Sequence, residues 1–443
     1  MASKPSSHLI LAFAVSVSML LPFRAVGALT PEQEARRILE ASGIKGGLIV
    51  HVGCGDGKLT AALCANDAFT VHALDRDAEN VARARAYLRR KGLYGRASVD
   101  RLEGDRLPYI ENLANLVVVE DYDDPIRPDV IRVLAPQGVA CYDRGNGYIT
   151  TAKPRPQEID EWTHYLYDAT NNAVSKDKAI GPLRRLQWQG GPRWSRHHDH
   201  MSSLSSVVSA GGRLFYILDE GSTASILLPS RWFLTARDAF NGCILWKRPI
   251  EKWHTQLWPL KSGPALLTRR LVAVGDTVYV TMGIDAPLSA LDAVTGETLH
   301  TYEGTRATEE VLVSDGTLFL VTNPDPEATW HDYPSIQEIK HSVRDPKWSG
   351  DKKVVMAVRA DDGQILWQDE SFVSPGTLAV DGRRAYFHDG GKIVAIDRVT
   401  GERAWTSQSL PTWQNMHSFF VPCLVAYDGV VLWAGGEQMV PHR

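Results

Sequence analysis

Paired cysteines are missing from this chain. Its five cysteines (Cys54, Cys64, Cys141, Cys243 and Cys423) are scattered through 443 residues, with no CxxC pair and no two adjacent. That leaves no zinc or redox pair and no disulfide framework, so the thiols are expected to be small buried residues. An excess of basic charge is missing too. The net charge of −4 and pI near 6.4 give no sign of a nucleic-acid surface, so no nucleic-acid partner is expected. Beyond residue 28, no stretch is long and apolar enough to cross a bilayer. Phenylalanine (11) is outnumbered by tryptophan (13), and the tryptophans fall after Asp160. The two halves of the chain are therefore built by different rules.

What is present begins with a leader. Lys4, the apolar run from Leu9 to Leu21, and Val26-Gly27-Ala28 match the three regions of a secretory signal. Cleavage after Ala28 is expected, which makes the protein exported, periplasmic or on the cell surface; an uncleaved anchor is the alternative. The remaining length suits two or three domains. The expected division is residues 29–150, a junction over 151–200, and a second module over 201–443.

The first module alternates strand and helix. "TPEQEARRILEASGI" has Thr30 as a helix cap, Pro31 at the first helical position, and Gly43 as its end. A buried strand, "GLIVHVG", leads to a glycine-rich turn and a helix from Lys58 to Ala65. "FTVHALD", "ASVDRLEGD", "ANLVVVED" and "GVACYDR" continue as strands, with "AENVARARAYLRRKGL" as an amphipathic helix between the first two. Such alternation implies an α/β doubly wound parallel sheet. Gly53, Gly55 and Gly57 let the backbone turn sharply and approach a ligand with no Cβ in the way. Asp75 closes the second strand, eighteen residues after Gly57, where a carboxylate can hold ribose hydroxyls. Asp105 closes the third, and Glu120-Asp121 the fourth.

Taken alone, the glycine turn fits a nicotinamide site equally well. Together, the "VGCGDG" turn, Asp75, Asp105 and "VLAPQGVACY" resemble class I S-adenosylmethionine-dependent methyltransferases over about 120 residues of Rossmann-like fold. The resemblance implies that Gly53, Gly55 and Gly57 cradle the methionine part, that Asp75 binds ribose, and that Asp105 faces adenine. Two departures stand out. His51 occupies a position where the family usually has an acid holding the cofactor's amino group, and "VEDYDDP" stands where an NPPY-like motif would be. The methyl acceptor is not encoded in any of these motifs, and no catalytic residue is singled out.

The second module repeats. "ARDAFNGCILW", "ALDAVTGETLH", "AVRADDGQILW" and "AIDRVTGERAW" share one pattern, Ala-x-Asp-x-x-(Thr/Asn/Asp)-Gly-x-x-x-Trp, with Arg359 and His300 as its exceptions. A hairpin such as "LVAVGDTVYVT" precedes each copy, and a fifth hairpin, "CLVAYDGVVLWAG", lies near the C-terminus. Four strands and two tight turns per unit make a β-propeller blade, with the Trp packing on the neighbouring unit. The motif resembles the tryptophan-docking repeat of quinoprotein dehydrogenases and the PQQ-like propellers of outer-membrane assembly factors. Binding of pyrroloquinoline quinone does not follow, because that group of dehydrogenases places adjacent cysteines and a calcium site around the quinone. Four blades and the start of a fifth leave the ring open, so further blades or partner copies are expected to complete it.

The junction belongs to neither pattern. "DEWTHYLYDATNNAV" supplies Glu161, His164 and Asn171-Asn172, and "RHHDHM" supplies His197, His198, Asp199 and His200. On one strand, alternate residues share a face, so either His198 and His200 or His197 and Asp199 can share a metal, and His198 and His200 are the candidate ligands. The whole arrangement resembles large exported proteins of planctomycete-type bacteria. The leading expectation is a methyltransferase-like module that binds S-adenosylmethionine, fused to an exported propeller, and transfers methyl to an unidentified acceptor. One alternative is a non-catalytic scaffold that binds protein or polysaccharide; another is a quinone- or metal-dependent oxidoreductase built on the propeller.

Overall fold

The computed structural model describes residues 29–145, 147–182, 186–192, 203–225, 228–251, 253, 267–325, 352–410 and 422–435. Helix α1 (Pro31–Ser42) opens on a capping box: the Gln33 amide donates to Thr30 Oγ1 at 3.3 Å, and the Thr30 amide donates to Gln33 Oε1 at 3.0 Å. A left-handed Gly43 (φ +70°) ends it. The chain then builds β1 (Gly47–Val52), α2 (Lys58–Leu63), β2 (Phe69–Asp75), α3 (Ala78–Arg90), β3 (Ala97–Arg101), β4 (Ala114–Val119), α4 (Arg127–Val133), β5 (Leu134–Asp143) and β6 (Tyr148–Ala152).

These strands form one sheet in the order β3-β2-β1-β4-β5-β6, parallel except for β6. Alternate residues of β1 enter opposite cores. Ile49 packs with Ile38, Leu63 and Leu88 on one face, and Val50 and Val52 pack with Val130 and Val133 on the other. Strand β5 starts four residues earlier than the "GVACYDR" segment suggests. Gln137 adopts φ +67° there, and the pairing slips between Ala114–Leu134 and Leu116–Val139, so a bulge absorbs Pro136. The edge strand β6 carries no apolar alternation, with a half-buried Tyr148 followed by four exposed residues, Ile149 among them, and the sequence offered no sign of it.

Four four-stranded antiparallel sheets follow, then a two-stranded one, consistent with a β-propeller. Their first strands are Leu204–Ala210, Leu271–Val274, Thr308–Ser314, Ala379–Val380 and Cys423–Tyr427. Each stands at an edge of its sheet, and consecutive ones lie side by side. The repeat's Trp docks as expected. Trp246 Nε1 donates to the Ala293 carbonyl and Trp367 Nε1 to the Arg398 carbonyl, both at 3.0 Å. The turn glycine of the next repeat makes room: a Cβ on Gly296 or Gly401 would lie 2.6 or 2.5 Å from the indole-bearing side chain. Where His300 replaces Trp, Tyr302 takes over the bond, its hydroxyl donating to the Ala360 carbonyl at 2.6 Å. Trp188, in the junction, docks in the same manner on the first sheet, donating to the Ala239 carbonyl at 2.9 Å against Gly242. That residue belongs to the repeat's logic although its surroundings lack the motif.

Within the junction, residues 162–171 form a strap over the sheet edges. Edge strands present backbone amides that need acceptors, and the strap supplies one to each sheet in chain order. Ser209 N donates to the Trp162 carbonyl (2.7 Å), Ala273 N to the Thr163 carbonyl (3.0 Å), and Val313 N to His164 Nε2 (3.0 Å). Val380 N then donates to the Ala169 carbonyl (2.8 Å), and Ala426 N to the Thr170 carbonyl (3.0 Å). Asn171 adds two donations from Nδ2, to the carbonyls of Leu378 (2.7 Å) and Leu424 (2.9 Å), and receives Arg269 on Oδ1 at 3.2 Å. His164 is fully buried, and desolvation pushes its pKa down to about 4, so it serves the strap as a neutral acceptor.

Candidate functional site

An open α/β sheet binds ligands outside the carboxyl ends of its strands, at the point where strand order reverses. Here that point lies between β1 and β4. The propeller covers the opposite end. Asn115, at the start of β4, donates to Asp238 Oδ2 (2.7 Å) in the first repeat's turn, and Asn241 Nδ2 donates back to Asn115 Oδ1 (2.7 Å). Gln187 reaches both sides of this seam, donating to the carbonyls of Asn112 (2.9 Å) and Phe240 (2.7 Å).

At the carboxyl end, the turn after β1 runs through three left-handed glycines: Gly53 (φ +85°), Gly55 (φ +53°) and Gly57 (φ +79°). The turn closes on the end of β2. Gly53 N donates to the Leu74 carbonyl at 2.8 Å, and Gly55 N donates to Asp75 Oδ2 at 2.9 Å. The three glycines do different work. A Cβ on Gly53 would lie 3.1 Å from Glu120 Cβ, whereas one on Gly57 would lie 2.8 Å from Ala84 Cβ and 2.9 Å from its Cα. Gly57 thus lets α2 start against α3. Only open space lies above Gly55, with nothing within 4 Å, and the same holds for Gly104 after β3.

Asp75 is buried at the base of this hollow. Besides Gly55 N, its carboxylate accepts from Asp77 N on Oδ1 (2.9 Å), and Asn80 Nδ2 reaches both oxygens at 3.1 and 3.2 Å. The structure therefore brings Gly53, Gly55, Gly57 and Asp75 together. Asp105 stands apart on the rim, two-thirds exposed, and meets the others through Arg76. Arg76 pairs with Asp105 (3.3 Å) and Asp124 (3.1 Å) and donates to the Gly104 carbonyl (2.6 Å). It ties the ends of β2, β3 and β4 together, a role its sequence position does not announce.

Two further residues were not singled out as ligands by their pattern. Glu120, following β4, meets His51 of β1: His51 Nε2 lies 3.2 Å from Glu120 Oε1, and Nδ1 lies 2.8 Å from Thr60 Oγ1 of α2. Because a carboxylate only accepts, Nε2 carries the proton of that bond. The signal that could have found Glu120 is its place, the first residue after the strand across the switch point from the glycine turn. The nearby thiols are inert. Burial pushes both Cys54 and Cys141 up to about 12, so neither is a thiolate nucleophile at neutral pH.

Among the described residues, no three His, Cys, Asp or Glu side chains are grouped to hold a metal, and no helix is long and apolar enough to cross a membrane. The candidate ligands His198 and His200, like the leader, lie outside the described residues.

Comparison with known proteins finds two families in the chain. Residues 49–138 match the family model of a methyltransferase domain, and residues 234–421 match that of the outer membrane protein assembly factor BamB. BamB of Kangiella koreensis is 43% identical over 56 residues, which is 12% of this chain and 14% of that relative. Among solved structures, a Methanococcus maripaludis chain assigned as an S-adenosyl-L-methionine-dependent methyltransferase is 23% identical, with a TM-score of 0.24; the match covers 26% of this chain and 54% of that one. A geranyl diphosphate C-methyltransferase of Streptomyces coelicolor is 13% identical, with a TM-score of 0.23, covering 24% of this chain and 42% of its own. The matches thus span a small part of the curated relative and about half of these solved chains. The chain carries an α/β methyltransferase domain followed by a PQQ-like, BamB-like propeller domain.

Proposed function

We propose that the first domain, residues 29–150, binds S-adenosylmethionine at the carboxyl ends of β1 and β2 and transfers its methyl group to an acceptor. The observation that carries this reading is the closure of the glycine turn onto Asp75 through Gly55 N, beneath the open space over Gly55. When bound, the cofactor supplies an electrophilic methyl group on a sulfonium. Gly53 and Gly55 would let the ligand lie against the backbone, and Gly57 sets the start of α2. Asp75 would hold the ribose diol on the two oxygens that Asn80 now shares, and Asp105, held by Arg76, would border the adenine. The acceptor would come from the open carboxyl end, since the propeller takes the other.

Export of the protein to the periplasm or cell surface belongs to the same reading. It is supported by the leader and by the match of residues 234–421, within the proposed second module (201–443, beyond the 151–200 junction), to an outer membrane protein assembly factor. A second reading, a scaffold binding protein or polysaccharide, is favoured by one observation: Asp75 is already satisfied within the protein. Calorimetric titration of the folded full chain with S-adenosylmethionine separates the two. One-site binding is expected, weakened about 30-fold or more by Asp75→Ala through loss of a hydrogen-bonded carboxylate. No heat at millimolar cofactor supports the scaffold.

A further inference from the structure

We infer that Glu120 is the anionic site for the ammonium group of the bound amino acid moiety, with His51 as its positioning residue. The inference rests on the cofactor reading above and adds a subsite to it. An S-adenosyl amino acid carries a positive ammonium at the end opposite its adenine, and such a group needs a carboxylate with open lone pairs.

Four other carboxylates near the turn are already committed. Asp75 takes Gly55 N, Asp77 N and Asn80 Nδ2. Asp56 pairs with Lys58 Nζ at 2.7 Å, and Asp105 and Asp124 pair with Arg76. Glu120 differs. Its Oε1 accepts from His51, while Oε2 has no hydrogen-bond partner among the described residues, and the side chain is 29% exposed.

Its place is right as well. Glu120 follows β4 and Gly53 follows β1, so the two face each other across the switch point, where Gly53 leaves room that a Cβ would take. His51 is 1% exposed and anchored to Thr60 of α2, so it fixes one carboxylate oxygen and leaves the other free to accept from a ligand. The chain thereby draws from β4 a charge that β1 does not provide, because position 51 is a histidine.

The test compares two ligands on the full chain, S-adenosylmethionine and 5′-methylthioadenosine, which lacks the amino acid part. Glu120→Gln keeps size and hydrogen bonding but removes the charge. It is expected to weaken S-adenosylmethionine binding about 30-fold, the scale of one charge-assisted bond, and to leave methylthioadenosine affinity within about twofold. Retained methylthioadenosine binding also shows that the variant is folded. Equal S-adenosylmethionine affinity in variant and wild type overturns the inference and leaves the cofactor reading standing. Parallel loss of both ligands overturns it too, because Glu120 then acts through the fold. Wild-type protein that binds neither ligand overturns the cofactor reading itself, and the subsite with it.

Discussion

Asn171→Asp lowers the melting temperature of the propeller by about 10 °C, corresponding to about 4 kcal/mol. Asn171 is buried with φ +60°, and its Nδ2 donates to two carbonyls on different sheets, those of Leu378 and Leu424. Aspartate keeps the acceptor facing Arg269 but turns the donor into an oxygen opposed to both carbonyls. Each buried carbonyl that loses its partner costs about 1–3 kcal/mol. The control is Asn172→Asp, one residue along, where the side chain makes no bond to the sheets; its change is expected to stay within about 0.5 kcal/mol. Thermal unfolding of the three proteins, followed by calorimetry, checks this. A shift of less than about 2 °C for Asn171→Asp would mean that the strap does not hold the sheets together.

Gly57→Ala and Gly55→Ala have opposite signatures. At Gly57 the new methyl meets Ala84 at 2.8 Å, on a backbone with φ +79°. Left-handed strain of about 1–2 kcal/mol adds to overpacking of about 1–3 kcal/mol, so the α/β domain loses about 4 kcal/mol. Gly55 has the same handedness, with φ +53°, but open space around it. Its substitution costs only about 1–2 kcal/mol of stability, while the methyl stands where the ligand is expected and weakens S-adenosylmethionine binding at least about tenfold. Chemical denaturation read beside ligand titration separates the two effects. A Gly55→Ala protein that binds as tightly as wild type would place the ligand elsewhere.

The contrast between these glycines shows where sequence reasoning reaches its limit. The motif identifies all three as special, and positive φ at each agrees. Only the packing distinguishes the one that faces open space from the one pressed on α3. The alternation of elements and the propeller repeat were readable because each has a periodic signature, down to Trp246 and Trp367 docking on the next turn. The strap was not readable. Its bonds to five sheet edges mostly use main-chain carbonyls, which any residue supplies, so "THYLYDATNNA" carries no pattern that announces them. The pairing of Glu120 with His51 was not readable for a related reason: it comes from strand order, which brings β4 beside β1 although 69 residues separate the two side chains. Arg76 likewise gains its role from three strand ends that meet only in the folded sheet.

The most direct measurement is a crystal structure of the full chain grown with S-adenosylhomocysteine. The account predicts the ribose hydroxyls on Asp75, with Asn80 moved aside, the homocysteine part over Gly55, and the amino group at Glu120 Oε2. Clear density for Asp75 still bound by Asn80, with no ligand above the glycine turn or with the ligand bound elsewhere, would contradict it.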